Sequence, residues 1–105
     1  MAVTQDLASD YRVLYARSVV EFMRREIQTR KAYEHVDSYR KILSAFPEAG
    51  AVYEPYYESV TPPVPCRYIT VPGTPFTLYY AVDDDERVVR VFHIEHQRAN
   101  PRERF

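Results

Sequence analysis

Apolar and polar residues alternate over Tyr11-Arg-Val-Leu-Tyr15, with β-forming side chains at most positions, and the period predicts a short strand. The period then lengthens. Ser18-Val-Val-Glu21 has the form of a capping box, in which the Ser hydroxyl takes an orphan N–H and the Glu reaches back to the cap. Val20, Met23 and Ile27 follow at i, i+3 and i+7, one face of a helix. A second stripe, Val36, Tyr39, Leu43 and Phe46, has the same spacing, and Pro47 and Gly50 end it. The polar stretch Gln28 to Lys31 between the stripes predicts a helical hairpin. It holds no Gly or Pro, so a single long helix is the competing reading.

Beyond the second stripe, Pro47, Pro55, Pro62, Pro63 and Pro65 predict a long, partly extended loop with no regular element over 47–65. Period-2 runs then predict three strands: Cys66 to Val71, closed by Pro72-Gly73; Phe76 to Val82; and Arg87 to Glu95. Asp83-Asp84-Asp85-Glu86 reads as the hairpin turn between the last two. The order β-α-α-β-β-β predicts an α+β fold, a helical hairpin packed on one face of a small, mostly antiparallel sheet. With 105 residues the chain is expected to form one domain, with residues 1–10 and 99–105 as flexible ends.

Composition narrows the function classes. Apolar residues make up 46%, as in a globular protein. One cysteine, Cys66, allows neither an intrachain disulfide nor a Cys-based zinc site. Only 2 Gly stand against 8 Pro, none of the nucleotide fingerprints occurs, and no cofactor is expected. No run has the length of a membrane-spanning helix, and the acidic start lacks the form of a signal peptide, so a soluble cytoplasmic protein is expected. The net charge of -1 excludes a strongly basic nucleic-acid coat. That charge is unevenly spread. Residues 11–41 carry eight bases against four acids, 42–86 one base against seven acids, and 87–105 five Arg against two Glu.

Phe76-Thr-Leu-Tyr-Tyr-Ala-Val-Asp83, followed by Arg87-Val-Val-Arg-Val-Phe-His-Ile-Glu-His-Gln-Arg98, resembles the RelE/ParE superfamily of bacterial toxins: a strand ending in Tyr and an acidic turn, then a Val-rich strand closed by a His and Arg. The match is looser upstream and covers residues 11–98. The resemblance implies a toxin of a type II toxin–antitoxin module, with a cognate antitoxin as partner. Its target would be DNA gyrase in the ParE-like, plasmid-stabilisation branch, or mRNA on the ribosome in the RelE-like branch. The RelE-like branch places basic residues in the loop after the helices and an Arg just ahead of the Tyr-ending strand. Here residues 48–58 hold no Lys or Arg, and the Arg position is Thr77. Carboxylates in that loop repel phosphate. The resemblance therefore favours the ParE-like branch.

If the chain cuts RNA, it needs a proton acceptor, a proton donor and cations for the phosphate. The candidates are Arg67, Arg90, His96 and Arg98, with Arg102 beyond them. On a regular strand Arg90, Phe92, Ile94 and His96 share one face, while Val89, Val91 and His93 share the other. His93 and His96 then point apart and form no metal pair. A structural reading stands beside each candidate: Arg90 as a solvated residue or ion-pair partner, His96 as a hydrogen-bonding group at a strand end, and the arginines of the tail as solvated. Tyr53, Tyr56 and Tyr57 either bind a partner or fold back over a sheet that lacks Trp. Arg24, Arg25 and Arg30, with Lys31, suit an acidic antitoxin segment, or are the polar side of an amphipathic helix. A third possibility is a member of the superfamily without toxicity, serving as an interaction module.

Overall fold

The computed structural model describes residues 10–54, 62–99 and 105. The chain enters as strand β1 (Arg12–Tyr15) and passes into helix α1 (Arg17–Glu26). Helices α2 (Arg30–Asp37) and α3 (Tyr39–Ala45) return across the sheet. Strands β2 (Ala51–Val52), β3 (Arg67–Thr70), β4 (Phe76–Asp83) and β5 (Val88–His96) complete it. The strand order is β1-β5-β4-β3-β2; β1 runs parallel to β5 and the other pairs are antiparallel. This is the expected α+β architecture, with helices on one face of a five-stranded sheet. No helix among the described residues is long and apolar enough to cross a membrane.

The hairpin reading holds because Thr29 interrupts the helix. Its hydroxyl accepts the Ala32 N–H at 3.1 Å and caps α2. The capping box at Ser18 does not form. α1 begins at Arg17, directly off β1, and the Ala16 carbonyl takes the Val19 and Val20 amides. The buried face of α1 is therefore Val19 and Met23, with Ile27 at its end, and not Val20. In the second stripe Val36 and Leu43 are fully buried, whereas Phe46 is 66% exposed. Phe46 lies beyond the last turn of α3, so the helical period no longer governs where it points. α2 and α3 meet at Ser38, whose hydroxyl donates to the His35 carbonyl at 2.6 Å, a back-bond of the kind that bends helices.

The core lies between the helices and the near face of the sheet. Val19, Met23, Val36 and Leu43 meet Val13, Phe76, Leu78, Tyr80, Val89, Val91 and Ile94. At ~25 cal/mol per Å² of apolar surface removed from water, such an interface supplies most of the force that holds the layers together.

Two features depart from the sequence expectation. The first is β2, in the stretch expected to lack regular structure. It pairs Ala51 with Tyr68 and Val52 with Arg67. Gly50 permits this approach: a Cβ there would lie 2.5 Å from the Tyr68 carbonyl oxygen and 2.7 Å from the Tyr80 hydroxyl. The second is a bulge in β5. Tyr79 pairs with His93 and Tyr80 with Val91, so Phe92 is the extra residue. The turn between β4 and β5 is closed by the Glu86 amide donating to Asp83 Oδ1 at 3.0 Å, with Arg87 at φ 55°.

Candidate functional site on the far face of the sheet

The bulge decides which side chains meet. Cross-strand partners share a face. Val89 and Val91 lie opposite Val82 and Tyr80, on the near face. After the extra residue the alternation has shifted by one position. Ile94 and His96, opposite Leu78 and Phe76, are now on the near face, while His93 and Glu95, opposite Tyr79 and Thr77, are on the far face. Arg90, opposite Ala81, is on the far face too. The expectation that Arg90 and His96 share a face is therefore corrected: a regular strand would place them together, and the bulge separates them. His93 and His96 do point apart.

The far face holds a polar array that the sequence reading did not single out. Glu95 is only 8% exposed. The Tyr79 hydroxyl donates to its Oε2 at 3.3 Å, and the His93 Nε2 stands 3.1 Å from its Oε1. A buried carboxylate needs such partners to offset lost hydration. Around this array the rings crowd together. Tyr53 packs edge-on to Tyr79 at 5.5 Å and to Tyr68 at 6.1 Å, and Tyr79 lies 5.3 Å from His93. Phe105 joins them, 4.9 Å from His93 and 5.3 Å from Tyr79. The signal for this site was present in the sequence as an acid two residues from a histidine within a Val-rich strand.

The four candidates for phosphate chemistry are not brought into one cluster. Arg67 is opposite Tyr80 on the near face, and its guanidinium donates to the Gly50 carbonyl at 2.9 Å. Gly50 in turn donates its N–H to the Tyr80 hydroxyl at 2.8 Å. Burial raises the Tyr80 pKa, while the Gly50 amide and the Arg67 charge work against that rise. Arg90 is exposed and makes no ion pair among the described residues. It borders an open groove of about 630 Å³ lined by Val64, Pro65, Ala81, Val82 and the acids Asp83, Asp84 and Asp85. His96 packs edge-on to Phe76 at 5.5 Å, and its Nδ1 accepts the Arg98 amide at 3.0 Å. His96 and Arg98 are thus neighbours at the end of β5, in a turn that the Ala99 amide closes on the His96 carbonyl.

Of the partner-binding candidates, Arg24, Arg25 and Arg30 are exposed on the helical layer. Arg25 pairs with Glu26 at 2.8 Å; Arg24 and Arg30 have no ion-pair partner among the described residues. Tyr53 folds over the sheet. Tyr56, Tyr57 and Arg102 lie outside the described residues, as do most of the two ends expected to be flexible. Among the described residues there is no group of three or more His, Cys, Asp or Glu placed to hold a metal ion.

No family model matches the chain, and no curated protein matches it in sequence. Solved structures do match. An archaeal RelE–RelB complex from Pyrococcus horikoshii OT3 aligns with TM-score 0.63 and 19% identity, over 86% of this chain and 99% of that one. A double arginine-to-alanine mutant of the E. coli toxin RelE in the free state aligns with TM-score 0.62 and 17% identity, over 89% and 90%. Isolated E. coli RelE aligns with TM-score 0.62 and 16% identity, over 86% and 87%. The chain has the RelE-like fold.

Proposed function

We propose that this chain is the toxin of a type II toxin–antitoxin module, arresting growth by binding a replication or translation target and neutralised by a cognate antitoxin. One observation carries the reading: the likeness to RelE structures runs over most of this chain and nearly all of theirs, with the expected order of elements. A structure of RelE with RelB among those similar to it supports a protein antitoxin as partner. The exposed Arg24, Arg25 and Arg30 offer cations to an acidic antitoxin segment. Within this reading a target-binding, ParE-like mode is favoured. The stretch from Glu48 to Glu54 adds two acids and no base, and Thr77 bonds across to Thr70 at 3.1 Å instead of presenting a cation.

A second reading, an mRNA endoribonuclease, is favoured by the Glu95–His93 pair, which places an acid–base couple on the face that also carries Arg90. The test that separates these readings is expression in a bacterium lacking the antitoxin. Growth arrest with DNA-damage signalling supports target binding. Arrest with cleaved mRNA that persists in a double His96→Ala/Arg98→Ala variant but is lost in Glu95→Gln would move the chemistry to the far face. Loss in the double variant alone returns it to the end of β5. No growth effect, with tight binding to the product of a neighbouring gene, leaves an interaction module.

A further inference from the structure

Two short segments carry opposite charge. From Asp83 to Arg87 four acids stand with one base, and from Arg24 to Lys31 four bases stand with one acid. Arg25 and Glu26 pair with each other, and the rest of both groups make no ion pair among the described residues. The hairpin carboxylates are held by neutral donors: Asp83 accepts the Glu86 amide at 3.0 Å and Asp84 the Tyr11 hydroxyl at 2.6 Å. Arg87, the adjoining base, stacks on the Tyr11 ring at 4.6 Å. The fold sets the two segments at opposite ends of the sheet. β4 and β5 pair from Asp83 with Val88, beside the acidic turn, to Phe76 with His96, ~23 Å away at ~3.3 Å per residue. α1 runs towards that second end, where Phe22 packs edge-on to Phe76 at 6.0 Å, and α2 meets it where His35 lies 2.7 Å from the Pro72 carbonyl. The basic corner between α1 and α2 therefore stands away from the acidic hairpin.

We propose that the groove at the β4–β5 hairpin is a docking site for the Arg24–Lys31 corner of a second copy of this chain, so that copies associate head to tail. Charge complementarity carries the inference. The two segments are matched in size and opposite in sign, and the fold keeps them from meeting within one molecule. A net charge of -1 leaves little overall repulsion to hold copies apart. Each patch repels its own like, which excludes a two-fold contact and leaves a heterologous one. The groove also offers apolar surface: Val64, 44% exposed, stands with Pro65, Ala81 and Val82, and methylene stems of arginine and lysine lie well on such a wall. The inference does not rest on the toxin reading. On that reading an acidic antitoxin and the second copy use the same arginines and exclude each other.

The test is analytical ultracentrifugation of the whole chain. In about 20 mM salt the mean mass of wild type is expected to rise above 12.4 kDa as concentration approaches the millimolar range, and in about 500 mM salt association should weaken by about tenfold. Arg24→Glu/Arg30→Glu makes both ends acidic, and Asp85→Lys/Glu86→Lys makes both basic while keeping the hydrogen bonds of Asp83 and Asp84. Each variant alone should be monomeric, and an equimolar mixture of the two should associate again. Arg24→Gln/Arg30→Gln, which removes charge without reversing it, should weaken association by about fivefold. A wild type that stays monomeric at millimolar concentration leaves the basic corner to some other acidic partner and overturns the assignment to a second copy. Association that either charge-reversed variant retains alone, wild-type affinity in Arg24→Gln/Arg30→Gln, or a mixture that stays monomeric overturns the head-to-tail contact.

Discussion

The Gly50 amide donates to the Tyr80 hydroxyl across 2.8 Å, joining the segment that leads into β2 to the middle of β4. The space for a side chain at 50 is already taken, by the Tyr68 carbonyl and by that same hydroxyl. Gly50→Ala is therefore expected to cost about 2–3 kcal/mol, because one of the obstructing atoms is backbone and must move with its strand. A urea melt that leaves Gly50→Ala within about 0.5 kcal/mol of wild type would show that the segment does not dock in this way.

Tyr80→Phe tests the other side of the contact. The ring remains buried in the core, but the Gly50 N–H loses its acceptor. A loss of about 1–2 kcal/mol is expected, the cost of a buried donor left unpaired. Hydrogen exchange at the Gly50 amide should quicken more than exchange in β5.

Tyr15 is the opposite case. Its hydroxyl is buried and makes no hydrogen bond of good geometry among the described residues; the Asp37 carboxylate is near enough to act on it as a charge and as a weak acceptor, and Arg40 stacks on the ring at 4.3 Å. Desolvation is the main cause that pushes its pKa from 10.0 up to about 12. The folded state thus favours the neutral phenol. Stability from this source is complete below pH 10 and declines as pH rises towards 12. Tyr15→Phe should equal or exceed wild type in stability at pH 7 and move the alkaline unfolding midpoint upwards. An unchanged alkaline midpoint would assign the transition elsewhere, for example to Cys66, whose buried thiol is raised to about 11.

Glu95 holds both the Tyr79 hydroxyl and the His93 imidazole. Glu95→Ala should lose about 1–3 kcal/mol, since it strands two polar groups as well as opening a gap. Glu95→Gln, which keeps an acceptor of the same shape, should lose less. Thermal melts of the pair decide this; equal losses would mean that charge matters here and the hydrogen bonds do not.

On the helical layer, Arg24→Glu with Arg30→Glu reverses two exposed charges that lack ion-pair partners among the described residues. Folding stability should change by less than about 0.5 kcal/mol. On the proposed toxin reading, association with an antitoxin should slow, and its dependence on salt should weaken. Stopped-flow association at two salt concentrations measures both effects.

Much of this protein is legible in its sequence because local chemistry sets local structure. Period-2 runs placed β1, β3, β4 and β5 within a residue of their ends, and the apolar stripes located both helical segments. Met23, Ile27, Val36 and Leu43 are buried as their spacing requires. What the sequence does not contain is any contact between distant segments. In the sequence Thr29 is one polar residue among several; in the fold its hydroxyl caps α2. Gly50 reads as a helix terminator, yet its lack of a side chain matters because Tyr68 and Tyr80 come to it from far along the chain. The bulge at Phe92 decides the most. Strand parity is a strict local rule only while pairing is regular, and one extra residue reverses it for everything that follows. Sequence period alone placed His96 beside Arg90 and His93 with the core valines. The pairing of β5 with β4 exchanges them, bringing His93 to Glu95 and Tyr79 and leaving His96 at the strand's end.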